Sequence, residues 1–191
     1  MSIKKVLLLA SMAIAGAVVV MPAAADDEFP WTHDHKALDK NATTKFSGTA
    51  EFSGEFGTFT CEVHIPVILE PGTTGTVETI EATTAKCAGD ELLKGCVPEI
   101  DTALNLPYTM HATKTKIDVT KVAFHVIFDE KCFVPEMTMT FPSVTVDPEQ
   151  PATIDNAFLH GKGTIDAFGL QFPVELGGTI AAEKAGTYGI E

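Results

Sequence analysis

The chain has 191 residues, 45% hydrophobic content and a formal net charge of −13 at pH 7, from 26 acidic and 13 basic residues. The hydrophobic content argues against general disorder. The acidic balance and the lack of any arginine make nucleic acid and anionic lipid poor partners. A cation or a basic surface suits this charge better, while solubility through self-repulsion is its simplest explanation.

The first 25 residues have the features of an export signal. Lys4 and Lys5 precede the apolar run Val6–Val20, and Ala23–Ala25 supplies the small residues that signal peptidase recognises. A membrane-spanning helix needs roughly 20 apolar residues, which is more than this run provides. We therefore predict a signal helix at 1–25 that is cleaved, and a secreted or periplasmic protein with no integral membrane span after cleavage.

An acidic arm follows the signal, at residues 26–42. It has no regular hydrophobic period, which predicts a mobile or loosely docked segment. Within it, His33 and His35 can point to one side of an extended segment, with Asp34 between them. Imidazoles bind copper, zinc or nickel. A metal site at these three residues is therefore one hypothesis, and a solvated arm without any cofactor is the other.

Residues 43–191 are predicted to form a single domain built from strands. Apolar and polar residues alternate there with a period of two, separated by turn signals rich in Gly and Pro. The alternating stretches are Phe46–Phe52, Phe59–Leu69, Val122–Phe128, Met137–Phe141 and Phe172–Ala182. We predict an all-β fold, an antiparallel β-sandwich of about eight to ten strands, Greek-key or jelly-roll-like. An outer-membrane barrel also alternates, but one Trp and two Tyr are too few for its aromatic girdles.

Two phenylalanines occupy predicted turns in similar contexts. Phe56 follows a Gly-Thr-Ala segment and precedes Gly57, and Phe168 follows a Gly-Thr-Ile segment and precedes Gly169. An apolar residue at a turn commonly packs onto the sheet edge, whereas two exposed ones would form a contact surface. Phe56 and Phe168 are therefore candidate contact residues.

The four cysteines predict two disulfide bonds, because an even number in an oxidising compartment favours pairing. No two of them have the close C-x2-C spacing that zinc sites use. The favoured pairing is Cys87 with Cys96 and Cys61 with Cys132. The alternative, Cys61 with Cys87 and Cys96 with Cys132, remains open.

No motif for catalysis is present. Ser47, Ser53 and Ser143 are the serines after the signal, and none lies in a G-x-S-x-G turn. The cysteines are expected to be oxidised and so unable to act as nucleophiles. We expect a protein that is not an enzyme.

The chain resembles secreted bacterial proteins rich in Thr and Gly, some of which are described as activators of alkane oxidation or as envelope-associated factors. The resemblance rests on Phe59–Val63, Pro71–Val77, Cys87–Gly89, Cys96, Leu106–Tyr108 and Cys132. It implies a non-enzymatic extracellular role with an unknown extracellular or envelope partner.

A second resemblance is to chaperone-assembled fimbrial subunits, through Phe46–Ala50 and the alternation from Gly178 to Tyr188. Those proteins polymerise by donating an N-terminal strand. The arm of this chain lacks the alternating apolar residues of such a strand. The leading hypothesis is therefore a secreted β-sandwich that acts by binding or by association with the cell surface. A fimbrial structural subunit and an extracellular metal-binding protein are its alternatives.

Overall fold

A computed structural model describes residues 29–82, 87–90, 93–96, 98–130, 132–184 and 186–191. These residues form strands and no α-helix, so the prediction of an all-β fold is confirmed. The predicted signal helix at 1–25 lies outside the described residues. The described residues contain no helix that is long and apolar enough to cross a membrane.

Fourteen strands follow one another along the described parts of the chain. Their bounds are β1 Trp31–His33, β2 Lys36–Ala37, β3 Ala42–Gly54, β4 Gly57–Leu69, β5 Thr74–Val77, β6 Glu81–Ala82, β7 Ala88–Gly89, β8 Pro98–Leu104, β9 Tyr108–Ala112, β10 Ile117–Phe128, β11 Glu136–Pro148, β12 Asn156–Ala167, β13 Leu170–Ala182 and β14 Tyr188–Ile190. The five stretches with a period of two fall in β3, β4, β10, β11 and β13. The predicted strands are thus confirmed at these positions.

Eight strands close into an antiparallel barrel, so the predicted β-sandwich is wrong. Each of β3, β4, β5, β9, β10, β11, β12 and β13 pairs with the next, and β13 pairs back onto β3 from Val174–Gly54 to Ala182–Phe46. A sandwich and a barrel both bury one face of each strand, and they therefore produce the same alternation in sequence. The pairing between the first and last barrel strands distinguishes them, and no local pattern encodes it.

The inside of the barrel is apolar and its outside is polar. Along β4, for example, Phe59, Cys61 and Val63 are buried, and the residues between them are not. Five phenylalanines fill one half of the interior with ring contacts between 4.8 and 6.3 Å: Phe52, Phe59, Phe124, Phe128 and Phe141. Rings at these separations pack in the tilted, stacked and edge-on arrangements that aromatic quadrupoles favour. Side chains therefore fill that half of the barrel.

The long connection between β5 and β9 completes the wall where those two strands are too short. Its strands β6 and β7 pair with β4, and β8 pairs with the second half of β10. Two disulfide bonds hold it: Cys61–Cys87 joins it to β4, and Cys96–Cys132 joins it to the β10–β11 connection. These bonds constrain a long connection that forms few strand-to-strand hydrogen bonds of its own.

Two disulfides are therefore confirmed, but the favoured pairing is wrong and the alternative is correct. The reason is the pairing of β7 with β4 at Phe59 and Thr60, which brings Cys87 within a Cα distance of 4.1 Å of Cys61. Cys96 then lies beside Cys132 at a Cα distance of 5.6 Å. Sequence spacing alone could not reveal either approach.

The segment 26–42, predicted to be a mobile or loosely docked arm, forms two short strands in its described part. Strands β1 and β2 form a hairpin, and β14 pairs with β1 from Trp31–Ile190 to His33–Tyr188. This three-stranded sheet covers the end of the barrel at which β3 begins, called the Trp31 end below. The opposite end, with the turns at Phe56 and Phe168, is called the Phe168 end.

Candidate functional site

An apolar cavity of about 80 Å³ lies inside the barrel, in the half nearer the Trp31 end. Side chains from all eight barrel strands line it, among them Ala50, Val67, Met110 and Val119. Eight-stranded barrels have an interior that side chains either fill or leave open for one small ligand. Here the phenylalanines fill one half, and smaller aliphatic side chains leave space in the other.

Trp31 forms the end wall of this cavity. Its side chain is 1% exposed, and its indole Nε1 donates a hydrogen bond to the Thr74 carbonyl at 2.7 Å. The backbone N–H of Trp31 donates to the Gly72 carbonyl at 2.9 Å. The ring therefore closes the barrel end and is held by the β4–β5 turn. Because this is the only tryptophan of the chain, its fluorescence reports directly on the cavity.

Tyr108 is the one titratable residue among those that line the cavity. Its hydroxyl donates to the Ala123 carbonyl at 2.6 Å and accepts from the Ala123 N–H at 3.3 Å. Strand β10 changes partner from β9 to β8 near this point, and the hydroxyl supplies bonds that the ladder does not. Burial raises the pKa of Tyr108, and the bond to Ala123 opposes this only in part. The cavity thus has a neutral wall at neutral pH.

Tyr108→Phe is expected to lower the free energy of unfolding by about 1–3 kcal/mol, because both backbone groups of Ala123 then lose a buried partner. Urea denaturation followed by circular dichroism measures this loss. In the wild type, stability should also decline as the pH rises above 10.0, the ordinary pKa of tyrosine, because the unfolded chain then releases this proton more readily. The variant should lack that part of the decline. An equal decline in both proteins would contradict the assignment.

No family model, curated protein or solved structure matches the chain. The resemblances to Thr/Gly-rich secreted proteins and to fimbrial subunits therefore stay predictions. The site has to be judged on its own geometry.

A chain of Ser47, His64 and Glu62 lies on the outer wall. Ser47 Oγ is 2.8 Å from His64 Nδ1, and His64 Nε2 is 3.8 Å from Glu62 Oε1. A hydrolase triad also orders a serine, a histidine and an acid, but it adds backbone N–H groups that stabilise an oxyanion. Around Ser47 the backbone is paired on both sides, with β4 and with β13. This arrangement lies on a flat, polar wall, where it stabilises cross-strand contacts.

The three residues of the predicted metal site lie at the β1–β2 hairpin. Asp34 and His35 form its two-residue turn, with φ values of 49° and 60°. His33 Nδ1 is 3.5 Å from Asp34 Oδ2, whereas His35 Nδ1 contacts Glu191 Oε1 at 2.8 Å. Within the described residues, no group of three or more His, Cys, Asp or Glu side chains is arranged to hold a metal ion. Metal binding here stays a prediction without a geometric site.

The two candidate contact residues have opposite environments. Phe56 is 9% exposed and packs edge-on against Phe172, with ring centroids 4.8 Å apart. Phe168 is 59% exposed and contacts Phe133, which is 71% exposed, at 5.8 Å. Phe168 is thus exposed and its role in contact stays a prediction, whereas Phe56 is part of the core.

Sequence reasoning missed the cavity and its end wall. The neighbours of Trp31 are acidic and show no period, and this pattern predicts a mobile or loosely docked arm. The one available signal was the isolated tryptophan itself, since a large apolar side chain in a polar segment is commonly docked onto a core. Tyr108 carried no distinguishing pattern.

Proposed function

We propose that the protein is a secreted or periplasmic binding protein that holds a small apolar ligand inside its barrel and does so without catalysis. The observation that carries the proposal is the cavity inside the barrel, which apolar side chains from all eight strands line, with the Tyr108 hydroxyl as an exception. An apolar ligand gains free energy by leaving water for such a site, and ligand sites are commonly found in barrel interiors. The export signal and the two disulfides support the compartment.

The lining also supports the chemical class of the ligand. Its described side chains carry no charged group at neutral pH, and the Tyr108 hydroxyl is already bonded to Ala123. A charged or strongly polar ligand would lose hydration without gaining partners. With about 80 Å³ available, the ligand is a small or slender hydrocarbon-like molecule. A cavity of roughly 150 Å³ in another protein accepts benzene.

The closure of the barrel favours this role over that of a fimbrial subunit. A fimbrial subunit is expected to expose a hydrophobic groove where one strand is missing. In the described barrel, β13 pairs with β3 from Val174–Gly54 to Ala182–Phe46, so no strand is missing between them. The two candidate functions therefore predict different behaviour, since only the fimbrial subunit would form oligomers by strand donation.

Titration with propane, a hydrocarbon smaller than benzene, tests the proposal when Trp31 fluorescence is the readout. The wild type should give a saturable change in emission, because the indole borders the cavity. Ala50→Leu adds three carbon atoms to a residue of the lining, and it should weaken binding by about tenfold or more. The matched control is Glu51→Leu, which adds a leucine to the exposed outer face of the same strand and should bind like the wild type.

The natural ligand can be sought by organic extraction of the protein from its own secretion, followed by mass spectrometry. A stoichiometric apolar compound that is absent from Ala50→Leu would support the proposal. If propane gives no saturable response and the extract holds no such compound, the proposal is wrong. Equal binding by Ala50→Leu and the wild type would place the ligand elsewhere.

A further inference from the structure

A second feature, independent of the cavity, is an apolar patch at the Phe168 end, formed by Phe133, Phe168 and Leu170. Their exposed fractions are 71%, 59% and 59%. Phe133 lies in the β10–β11 connection, whereas Phe168 and Leu170 belong to the β12–β13 hairpin, and the two rings contact at 5.8 Å. Two connections that are distant in sequence thus bring large apolar side chains together in solvent, which is uncommon without a partner.

The turn chemistry shows that folding does not require Phe168. It forms a two-residue turn with Gly169, with φ values of 56° and 73°. Both positions of such a turn favour Asn, Asp or Gly, and a bulky residue in this backbone region is strained. Asparagine would suit both the turn and the exposure better. The phenylalanine therefore costs stability through the strain of its backbone, and this is a mark of a residue kept for contact.

The other hairpin at the same end provides an internal comparison. It also carries a phenylalanine in its turn, Phe56, yet that ring packs onto Phe172 and is buried. The same barrel end can thus accommodate a turn phenylalanine in its core. The exposure of Phe168 is a specific property of the β12–β13 hairpin.

Acidic residues surround the patch. Asp129 and Glu130 precede Phe133 in its connection, Glu136 begins β11, and Asp166 lies two residues before Phe168, all exposed. Lys94 also lies near the patch, since it is two residues from Cys96, which is bonded to Cys132, and Lys131 lies outside the described residues; the four carboxylates outnumber these two lysines. Negative charge beside exposed apolar side chains repels anionic lipid and a second copy of this acidic chain. It attracts a partner rich in Lys or Arg.

We propose that the patch of Phe133, Phe168 and Leu170 docks a basic amphipathic segment of a partner protein, with an apolar side chain of that segment inserted at Phe168. The apolar contact provides affinity, as aromatic anchors do at interface centres. The surrounding carboxylates select positive charge and accelerate encounter. Binding should therefore weaken with salt, and it should need both Phe168 and a basic partner.

The test uses two fluorescein-labelled helical peptides, one of Lys and Leu and one of Glu and Leu, with anisotropy as the readout. The wild type should bind the Lys/Leu peptide at least about tenfold more tightly than the Glu/Leu peptide. Phe168→Asn leaves the charge unchanged and should weaken that binding by roughly tenfold. Because asparagine suits the turn, the variant should melt at or above the wild-type temperature, so lost binding cannot be attributed to unfolding.

The matched control is Phe158→Asn, which removes a 43%-exposed phenylalanine from β12 near the Trp31 end and should bind like the wild type. Equal binding by Phe168→Asn and the wild type overturns the proposal, and so does equal affinity for the two peptides. Phe168-dependent dimers in sedimentation would identify a second copy as the occupant instead. Phe168-dependent flotation with phosphatidylcholine vesicles would identify a membrane, and either result would also overturn the proposal.

Discussion

Gly48→Ala is expected to lower the free energy of unfolding by about 4 kcal/mol or more, or to prevent folding, because it blocks the seam that closes the barrel. A Cβ atom at Gly48 would lie 2.0 Å from the Thr179 carbonyl oxygen and 2.7 Å from the Ile180 Cα. Both atoms belong to the backbone of β13. No side-chain rotation can relieve the contact, so the strands must separate. Denaturation in urea, followed by circular dichroism, measures the loss.

The same strand pair supplies a matched control for Gly48→Ala. Gly177, on β13, has no heavy atom within 4 Å of the position that its Cβ would take. Gly177→Ala should therefore be neutral, or stabilise the protein by up to about 1 kcal/mol, because it reduces the freedom of the unfolded chain. If both substitutions have the same effect, close approach at the seam is not what requires Gly48.

Trp31→Ala is expected to cost about 3–5 kcal/mol of stability, the usual range for removing a large buried aromatic side chain. The indole is 1% exposed, and its Nε1 bond to Thr74 ties the covering sheet to the β4–β5 turn. Its removal enlarges the cavity and leaves the Trp31 end without its wall. The measurement is chemical denaturation followed by circular dichroism, since the variant has no tryptophan fluorescence.

Trp31→Phe separates packing from the hydrogen bond. Phenylalanine keeps an apolar ring at the barrel end but has no N–H for the Thr74 carbonyl. Trp31→Phe should lower the free energy of unfolding by about 1–2 kcal/mol, which is less than the loss expected for Trp31→Ala. If Trp31→Ala changes stability by under about 1 kcal/mol, the covering sheet is not part of the cooperative fold, and residues 26–42 behave as the loosely docked arm that the sequence predicts.

The closed barrel makes the roles of the two ends distinct. At the Trp31 end, a docked sheet encloses the cavity, whereas at the Phe168 end the interior is packed with phenylalanines and the surface carries the apolar patch. Substitutions at one end should therefore leave the other function intact. Ala50→Leu should not affect peptide binding, and Phe168→Asn should not affect propane binding.

Much of the fold was predictable from residues whose information is local. The alternation of Phe59, Cys61 and Val63 with polar neighbours identified β4 and its buried face, because the side chains of a strand point alternately to its two sides. The even number of cysteines predicted two disulfides, and this information lies in the composition alone. Phe168 was recognised as a possible contact residue from its place in a turn.

The candidate site was much less accessible from the sequence. Ala50 and Val119 line the cavity, but in sequence they look like any core residues of a strand. The correct disulfide pairing followed from the contact of β7 with β4, and the different environments of Phe56 and Phe168 followed from what lies beside each turn. Each of these depends on segments far apart in the chain.

The sequence by itself determined the class of secondary structure, the inward face of the main strands and the presence of two disulfides, since each follows from periodicity or composition. The tertiary structure alone decided that the strands close into a barrel, that Trp31 covers one end and that Phe168 stays exposed. The physical reason is that closure depends on the contact between Gly48 and Ile180, which lie near opposite ends of the domain's sequence. An alternating pattern specifies which face is buried, but it does not specify which strand lies beside which.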